Sequence, residues 1–277
     1  MANFEVSGTS LLESSSSEFN TYACNLLDLD RIKAVVSTVR PHVVFHLAAI
    51  AFVADGDTDT MYRTNILGTR NLLSSLAAAA RIPRAVLLAS SSNIYGNTNI
   101  EVLHEAVSPS PANDYAVTKL AMECMARLWV DRIPLTFVRP FNYTGVGQSS
   151  LFLVPKIVDH FRRKAPYIEL GNLDVIRDFS DVRTVVQCYR RLIEVGANKE
   201  LRGEAFNICS GIGHSLQDIL RMMRGIAGHE LEVRVNPAFV RSHEVKKLVG
   251  TRAKLETAVG PVPDIALDET LRWMYYA

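Results

Sequence analysis

The feature that most constrains this sequence is a regular alternation of short apolar runs with helix-like segments. Residues 43–47 and Ala85–Ala89 are apolar runs of the kind that form strands buried inside a parallel sheet. Residues 64–80 and 115–132 carry apolar side chains at helical spacing. Strands and helices that alternate at this spacing predict βαβ units, and therefore an α/β fold with a doubly wound parallel sheet.

Composition excludes several classes of protein. The 277 residues include 30 Lys and Arg and 29 Asp and Glu, for a formal net charge of +1, which argues against binding a nucleic acid or a membrane surface through overall charge. The four cysteines form no C-x-x-C pair and the histidines show no metal-binding spacing on a helix, so we predict no metal. The N-terminus does not resemble a signal peptide, and no apolar run is long enough to span a bilayer. We therefore expect a soluble, cytoplasmic protein.

A tyrosine and a lysine four positions apart form the first candidate site. Tyr115 and Lys119 would lie on one face of a helix, within reach of a shared ligand. An ammonium group beside a phenol favours the phenolate, and so lowers the tyrosine pKa towards the range of a general acid or base. Ser90, Ser91 and Ser92 follow a buried strand, at the sheet edge where ligands bind, and a hydroxyl there can hydrogen-bond the same substrate oxygen.

Five short motifs occur together along the chain. They are His46-Leu47-Ala48-Ala49, Asn65-Ile66-Leu67-Gly68-Thr69, Ser90-Ser91-Ser92-Asn93-Ile94-Tyr95-Gly96, Tyr115-x-x-x-Lys119 and Arg139-Pro140-Phe141-Asn142. In this combination the sequence resembles the extended short-chain dehydrogenase/reductases that act on nucleotide sugars. Each motif is weak alone, but the set is specific, and the resemblance covers nearly the whole chain from about Ala23 onward.

The resemblance implies an oxidoreductase that uses NADP or NAD. Tyr115 would exchange a proton with a sugar oxygen while hydride moves to or from nicotinamide, Ser91 would orient that oxygen, and Lys119 would also hold the nicotinamide ribose. The implied cofactor-binding residues are Asn25, Leu26, Leu47, Ala48, Ala49, Ala89, Tyr115, Lys119 and Pro140. The residues implied to hold the nucleotide diphosphate of a GDP-sugar substrate are Asn142, Lys156, Arg177, Arg241 and Glu244. Their chemistry fits, because Lys and Arg neutralise a pyrophosphate and a carboxylate accepts from ribose hydroxyls.

The segment before Tyr95 separates the subgroups of this family. The 4,6-dehydratases carry an acid there that abstracts a proton from C5, whereas this chain has Asn93 and no carboxylate between Ser90 and Gly96. The sequence is most similar to the GDP-4-dehydro-6-deoxy-D-mannose reductases, which use NAD(P)H to reduce the C4 ketone and give GDP-6-deoxy-D-mannose (GDP-D-rhamnose). A nucleotide-sugar 4-epimerase and a non-catalytic nucleotide-sugar binder are the alternatives. Relatives are commonly dimers, so a homodimer is expected.

The front of the chain departs from the family pattern. Family members open with a strand, a G-x-x-G-x-x-G loop and a helix, whose N–H groups approach the cofactor pyrophosphate. Here residues 4–10 contain a single glycine and match the family's second strand, so the first βα unit is expected to be missing; alternatively, residues 6–10 are a remnant of the first strand. We predict a Rossmann-like dinucleotide-binding domain at residues 1–142, with residues 178–200 also belonging to it, and a smaller nucleotide-sugar-binding lobe at residues 143–277.

Overall fold

A computed structural model describes residues 4–12, 18–51, 57–196, 201–239 and 245–277. The chain divides into two compact units, which are described separately. The first contains residues 1–90, 114–137 and 196–204, and the second contains residues 91–113, 138–195 and 205–277. The predicted assignment of the chain to a dinucleotide-binding part and a sugar-binding part stays a prediction. None of the described helices has the length and apolar character that a bilayer-spanning helix needs.

Two pairs of parallel strands form the framework of the first unit. β1 (Ser7–Ser10) pairs with β2 (Asn20–Ala23), and β3 (Val43–His46) pairs with β4 (Ala85–Ala89). Among the described strands none joins β1 to β3, so the two pairs belong to separate sheets. In a doubly wound sheet of order 3-2-1-4-5-6, removal of strand 1 leaves two parallel pieces of this kind.

The helices of the first unit differ from the sequence prediction at their ends. In the described residues they are α1 (Leu29–Val39), α2 (Thr58–Tyr62), α3 (Thr69–Ala77) and α4 (Asp114–Arg127). The helix predicted over residues 64–80 is present, but it ends at Ala77, and its first part is a π-helical turn at Arg63–Gly68 that joins α2 to α3. Gly68 lets this turn approach the loop after β2, since a Cβ there would lie 2.8 Å from the Cβ of Leu26. The helix predicted over residues 115–132 is shorter than expected. Helix α4 ends at Arg127, and the chain continues in tight turns.

The second unit consists of small sheets and the helices that cover them. From β5, which the first unit shares, its described strands are β5 (Leu135–Pro140), β6 (Asn142–Thr144), β7 (Tyr167–Leu170), β8 (Ile176–Asp181), β9 (Ala205–Ile208), β10 (Gly213–Ser215), β11 (Glu232–Val235) and β12 (Lys247–Leu248). Its described helices are α5 (Leu153–Arg162), α6 (Val182–Gly196), α7 (Leu216–Ala227), α8 (Ala253–Val259) and α9 (Leu267–Tyr276). Helices α5, α7 and α9 pack on one another through a core that includes Ile157, Met223 and Leu271.

Strand β8 is the centre of the second unit. β10 pairs with it in antiparallel fashion, and β6 and β12 pair with it in parallel. The other strand pair, β7 and β11, is parallel. A second four-stranded sheet has the order β3-β4-β5-β9. Its strand β5 ends at Pro140, and the following N–H, of Phe141, donates to Ile208 O at 2.9 Å.

Candidate active site

Helix α4 places Tyr115 and Lys119 close together at the end of β4. Lys119 is only 4% exposed, and its Nζ donates to the carbonyl oxygen of Ala89 at 2.7 Å. The same nitrogen lies 5.8 Å from the centroid of the Tyr115 ring, which is partly exposed. Ligands of parallel α/β sheets bind beyond the carboxyl ends of the strands. The pair therefore lies where a substrate or cofactor is expected.

The charge of Lys119 is set by its burial. Loss of hydration lowers the pKa of its ammonium from 10.5 to about 8, and the nearby Glu123 carboxylate partly opposes that shift. Lys119 is consequently still cationic at neutral pH. A cation beside a phenol stabilises the phenolate that remains after the phenol has given up its proton. The arrangement suits an acid that donates one proton per turnover and must then regain it.

Asn65 is a residue that the sequence analysis placed in a motif but not in the site. Its Oδ1 accepts the N–H of Ile50 at 2.8 Å, and its Nδ2 donates to the oxygen of Ile50 and to Thr118 Oγ1, both at 3.0 Å. Thr118 in turn donates to the carbonyl oxygen of Tyr115 at 2.8 Å. The buried amide thus connects the loop after β3 to the first turns of α4. The Asn65-to-Thr69 motif was the available signal, but it does not reveal these partners.

His46 extends the same network as a neutral donor. Its Nε2 lies 2.9 Å from Thr69 Oγ1, and that hydroxyl donates to the carbonyl oxygen of Asn65 at 2.8 Å. Because the hydroxyl hydrogen is already used, the His46 ring must carry its proton on Nε2 and donate it. Burial, and next the positive charge of Lys119, lower the pKa of His46 to about 4. The ring is therefore uncharged at neutral pH.

The first unit fits the nicotinamide end of a dinucleotide. Leu47 is 54% exposed, Ala48 is exposed and Ala49 is partly exposed, so the loop after β3 presents apolar surface. The Ser90 hydroxyl, next to Ala89, is buried and has no hydrogen-bond partner among the described residues. An unpaired buried hydroxyl is costly unless a bound group satisfies it. When bound there, a reduced nicotinamide supplies hydride; Lys119 and Ser90 would hold it.

The described residues offer fewer suitable contacts to the adenine and pyrophosphate end of a dinucleotide. The Oδ1 of Asn25, one of the predicted cofactor-binding residues, accepts the N–H of Leu27 at 2.9 Å, within its own turn. The carbonyl oxygen of the neighbouring Leu26 accepts from Asn71 at 3.0 Å. Ahead of α1, residues 1–28 contain one glycine, Gly8, whereas a pyrophosphate usually binds at a glycine-rich turn before a helix.

Ser91 belongs to the second unit, where it begins a short 3-10 turn at Ser92–Tyr95. It is buried, and its Oγ accepts the N–H of Asn93 at 3.1 Å. Since Oγ is the acceptor in that bond, the hydroxyl hydrogen remains available for a substrate oxygen. Its predicted action on the oxygen that Tyr115 protonates stays a prediction.

Asn142 and Arg177, two of the predicted substrate residues, lie on adjacent strands of the second unit. Asn142 begins β6 and pairs in register with Phe179 of β8, two positions after Arg177. The Asn142 amide donates to the carbonyl oxygen of Asp178 at 3.3 Å, and an Arg177 guanidinium N–H donates to the carbonyl oxygen of Ile176 at 3.0 Å. Both side chains are partly exposed.

Lys156, on α5, is the third described substrate candidate. Its Nζ donates to the carbonyl oxygen of Glu169 at 2.8 Å and lies 4.8 Å from the centroid of the Phe239 ring. The predicted residues Arg241 and Glu244 lie outside the described residues. Pro140, predicted to line the cofactor, is buried at the end of β5. Within the described part of the chain, no cluster of three or more His, Cys, Asp or Glu could hold a metal ion.

Parallel strand pairs, connecting helices and a Tyr–Lys pair at a strand end define a Rossmann-like α/β protein of the short-chain dehydrogenase/reductase type. A family model described as GDP-mannose 4,6 dehydratase matches residues 4–274. The chain belongs to this family, and the prediction of an NAD(P)-dependent enzyme of the nucleotide-sugar class is confirmed at the level of the family.

Two characterised relatives are similar to most of the chain. A GDP-6-deoxy-D-talose 4-dehydrogenase of Aggregatibacter actinomycetemcomitans is 37% identical over 229 residues, which cover 83% of this chain and 76% of the relative. A GDP-6-deoxy-D-mannose reductase of Pseudomonas aeruginosa is 33% identical over 243 residues, which cover 84% and 78%. Both names describe oxidoreduction of a GDP-linked 6-deoxy sugar.

Two solved structures share the fold. A protein of Burkholderia cenocepacia J2315, provisionally assigned as an epimerase, is 49% identical with a TM-score of 0.92, covering 99% of this chain and 89% of that one. The structure of RMD from Pseudomonas aeruginosa, complexed with NADPH, is 28% identical with a TM-score of 0.84, covering 98% and 97%. The α/β, Rossmann-like fold class predicted from the sequence is thereby confirmed.

Proposed function

We propose that this enzyme uses NAD(P)H to reduce the C4 ketone of a nucleotide-linked 4-keto-6-deoxy sugar, and that GDP-4-dehydro-6-deoxy-D-mannose is converted to GDP-6-deoxy-D-mannose. The observation that carries the proposal is the buried Lys119 ammonium, 2.7 Å from Ala89 O and 5.8 Å from the Tyr115 ring centroid. The two relatives named for GDP-6-deoxy sugars support both the GDP group and reaction at C4. The solved structure with NADPH supports the cofactor class, and the choice between NADH and NADPH is left to experiment.

In this mechanism the residues of the chain transfer one proton and stabilise the negative charge that forms on Tyr115. The Tyr115 phenol donates its proton to O4 of the sugar as the ketone is reduced. The Lys119 ammonium stabilises the phenolate that remains, and water then returns the proton. The Ser91 hydroxyl donates a hydrogen bond to the same oxygen. Asn142, Lys156, Arg177, Arg241 and Glu244 bind the nucleotide diphosphate, which fixes the ketone for reaction.

The segment 90–96 distinguishes reduction from dehydration. A 4,6-elimination needs a base that removes the C5 proton, and this segment contains no Asp or Glu. Asn93 cannot accept a proton at neutral pH. Membership of a family described as dehydratase is therefore compatible with reductase activity in this chain.

The direct test mixes the protein with GDP-4-dehydro-6-deoxy-D-mannose and either NADPH or NADH. We expect the absorbance of the reduced cofactor to fall, with one cofactor consumed per sugar reduced. GDP-6-deoxy-D-mannose and GDP-6-deoxy-D-talose differ only at C4, so NMR of the product identifies which face receives hydride. Folded protein that consumes neither cofactor would contradict the proposal.

A nucleotide-sugar 4-epimerase is the second candidate, favoured by the provisional assignment of the 49% identical Burkholderia cenocepacia protein. It requires the same Tyr–Lys chemistry but retains its cofactor through the cycle. Inversion at C4 without net cofactor consumption would favour this alternative over reduction. A non-catalytic nucleotide-sugar binder is distinguished by GDP binding without NADPH binding.

A further inference from the structure

Asp178 is a buried carboxylate to which neither the sequence nor the proposed mechanism gives a role. It lies in the middle of β8 and is fully buried. Burial raises the pKa of its carboxyl, and hydrogen bonds from Ser210, Gly211 and Gly250 oppose that rise. A buried carboxylate is tolerated only when its lone pairs are well satisfied. Because burying this carboxylate costs free energy, we expect the hydrogen bonds around it to hold a part of the protein in position.

Four neutral donors converge on the two carboxylate oxygens. Oδ1 accepts from the Ser210 N–H at 2.8 Å and from the Ser210 hydroxyl at 2.7 Å. Oδ2 accepts from the N–H of Gly211 at 2.9 Å and from the N–H of Gly250 at 3.3 Å. Gly211 has φ of +83°, which a side chain would disfavour, and a Cβ on Gly250 would lie 2.5 Å from the ring of Phe141. Both glycines are therefore suited to this close approach.

These donors lie at the ends of the two strands that flank β8. Ser210 and Gly211 come just before β10, and Gly250 comes just after β12. β10 and β12 pair with β8 at Arg177, through His214 on one side and Leu248 on the other. One carboxylate thus ties both neighbouring strands to the strand that carries Arg177.

The backbone of the same residue also supports Asn142. The Asn142 amide donates to the Asp178 carbonyl oxygen at 3.3 Å, and Asn142 lies on β6, which pairs with β8. We propose that Asp178 is a positioning residue for substrate binding: its carboxylate fixes the strands that present Arg177 and Asn142 to the diphosphate of the nucleotide sugar. This inference rests on the proposed function of those two residues.

The negative charge of Asp178 and the geometry of its hydrogen bonds predict opposite effects of Asp178→Asn on nucleotide binding. A negative charge near a diphosphate repels it, so neutralising that charge alone would tighten binding. The amide of asparagine, however, places N–H donors against two of the existing donors, so the flanking strands lose part of their attachment to β8. Weaker nucleotide binding in this variant can then come only from altered positions.

The experiment compares Asp178→Asn with Asp181→Asn on the same strand. Asp181 is also buried, but its carboxylate binds Arg183 at 2.7 Å and Thr270 at 2.8 Å, and neither is a predicted substrate residue. We expect Asp178→Asn to raise the KM for the GDP-sugar and the Kd for GDP about tenfold, with kcat changed less than about twofold. We expect Asp181→Asn to lower stability and to leave KM and the Kd for GDP unchanged.

An Asp178→Asn variant that retains the wild-type KM, or an Asp181→Asn variant with an equal rise in KM, overturns the inference. If Asp178→Asn does not fold, Ser210→Ala carries the test, because it removes one donor and leaves the backbone bonds. We expect a rise of about threefold in KM and in the Kd for GDP, and unchanged values overturn the inference. Wild-type protein that fails to bind GDP removes the proposed function itself, and is recognised before any variant is measured.

Discussion

Lys119 and His46 show how one buried environment keeps two bases in different charge states. Desolvation lowers both pKa values by penalising the charged form. Lysine starts from 10.5 and reaches about 8, so it remains cationic at neutral pH, whereas histidine starts from 6.5 and reaches about 4, so it is neutral. The site therefore holds the positive charge of Lys119 beside Tyr115, and the uncharged imidazole of His46 donates a hydrogen bond.

Replacing Tyr115 by Phe removes the acid and keeps the ring. We expect kcat to fall by about 10² to 10⁴, the contribution of a positioned acid, while the Kd for GDP stays within about twofold. Steady-state kinetics and calorimetry measure the two quantities. The matched control is Tyr62→Phe, which removes a 3.0 Å hydrogen bond to Asp114 at the start of the same helix. Turnover that survives Tyr115→Phe would exclude Tyr115 as the acid.

The depressed pKa of His46 predicts a loss of stability in acid. Between pH 6.5 and 4 the unfolded chain binds a proton at this residue and the folded chain does not, so the free energy of unfolding decreases as the pH falls. The contribution is about 3 kcal/mol at 1.36 kcal/mol per pKa unit.

Urea unfolding of wild type and His46→Gln across this range measures that contribution. The two stabilities should converge, or their order should reverse, as the pH falls. The exposed His42, whose Nε2 contacts Arg81 at 2.9 Å, supplies the control variant His42→Gln. A constant difference between wild type and His46→Gln would refute the argument.

At the scale of elements, the π-helical turn at Arg63–Gly68 determines where Asn65 points. Single π turns inside helices are rare and are frequent at functional sites. This turn joins α2 to α3, and its Asn65 connects the loop after β3 to α4 through Ile50 and Thr118. One amide therefore joins the loop after β3 to the helix that carries Tyr115 and Lys119.

Replacing Asn65 by Ala should lower the free energy of unfolding by about 3 kcal/mol, because two backbone groups of Ile50 and one hydroxyl lose their partner. We also expect kcat to fall by about tenfold as α4 loses this support. Asn71→Ala is the control: it removes one 3.0 Å bond to Leu26 O and should cost about 1 kcal/mol with unchanged kcat. Urea unfolding and kinetics test both; equal effects on kcat would argue against a special role for Asn65.

Elements defined by local pattern were predictable from the sequence, and those defined by distant partners were not. The strands Val43–His46 and Ala85–Ala89 agree with the apolar runs that predict them. The end of α4 at Arg127 was missed, because an apolar pattern continues past it. The partners of Asn65 were also missed: Thr118 is 53 positions away in the sequence, and no periodicity carries that information. The Tyr115 and Lys119 pair was predictable because both lie on one helix.

At the scale of the whole molecule, the residues suit one half of a dinucleotide better than the other. Residues around Lys119, Ser90 and Leu47 suit the nicotinamide end, whereas Gly8 is the only glycine ahead of α1. A glycine-rich turn at a helix start is what usually binds the pyrophosphate. Residues 1–277 should consequently contribute less to binding the adenosine half of the cofactor than to binding the nicotinamide half.

Calorimetry with two ligands compares the contributions of the two halves of the cofactor to binding. Reduced nicotinamide mononucleotide carries only the half that the described residues suit, and NADPH carries both halves. We expect their Kd values to differ by less than about tenfold, or about 1.4 kcal/mol. Lys119→Met should weaken both by a similar factor. A preference for NADPH of several hundredfold would mean that the chain binds the pyrophosphate by a route other than a glycine-rich turn.

Strand β3 has a consequence for the behaviour of this protein in the test tube. In the described part of the chain only β4 pairs with it, which leaves one row of backbone N–H and C=O groups beside Phe45, itself 45% exposed. Such a border is a template on which another polypeptide can add. Sedimentation at rising protein concentration should therefore reveal reversible oligomers, and dilute, cool storage should delay their conversion to insoluble material.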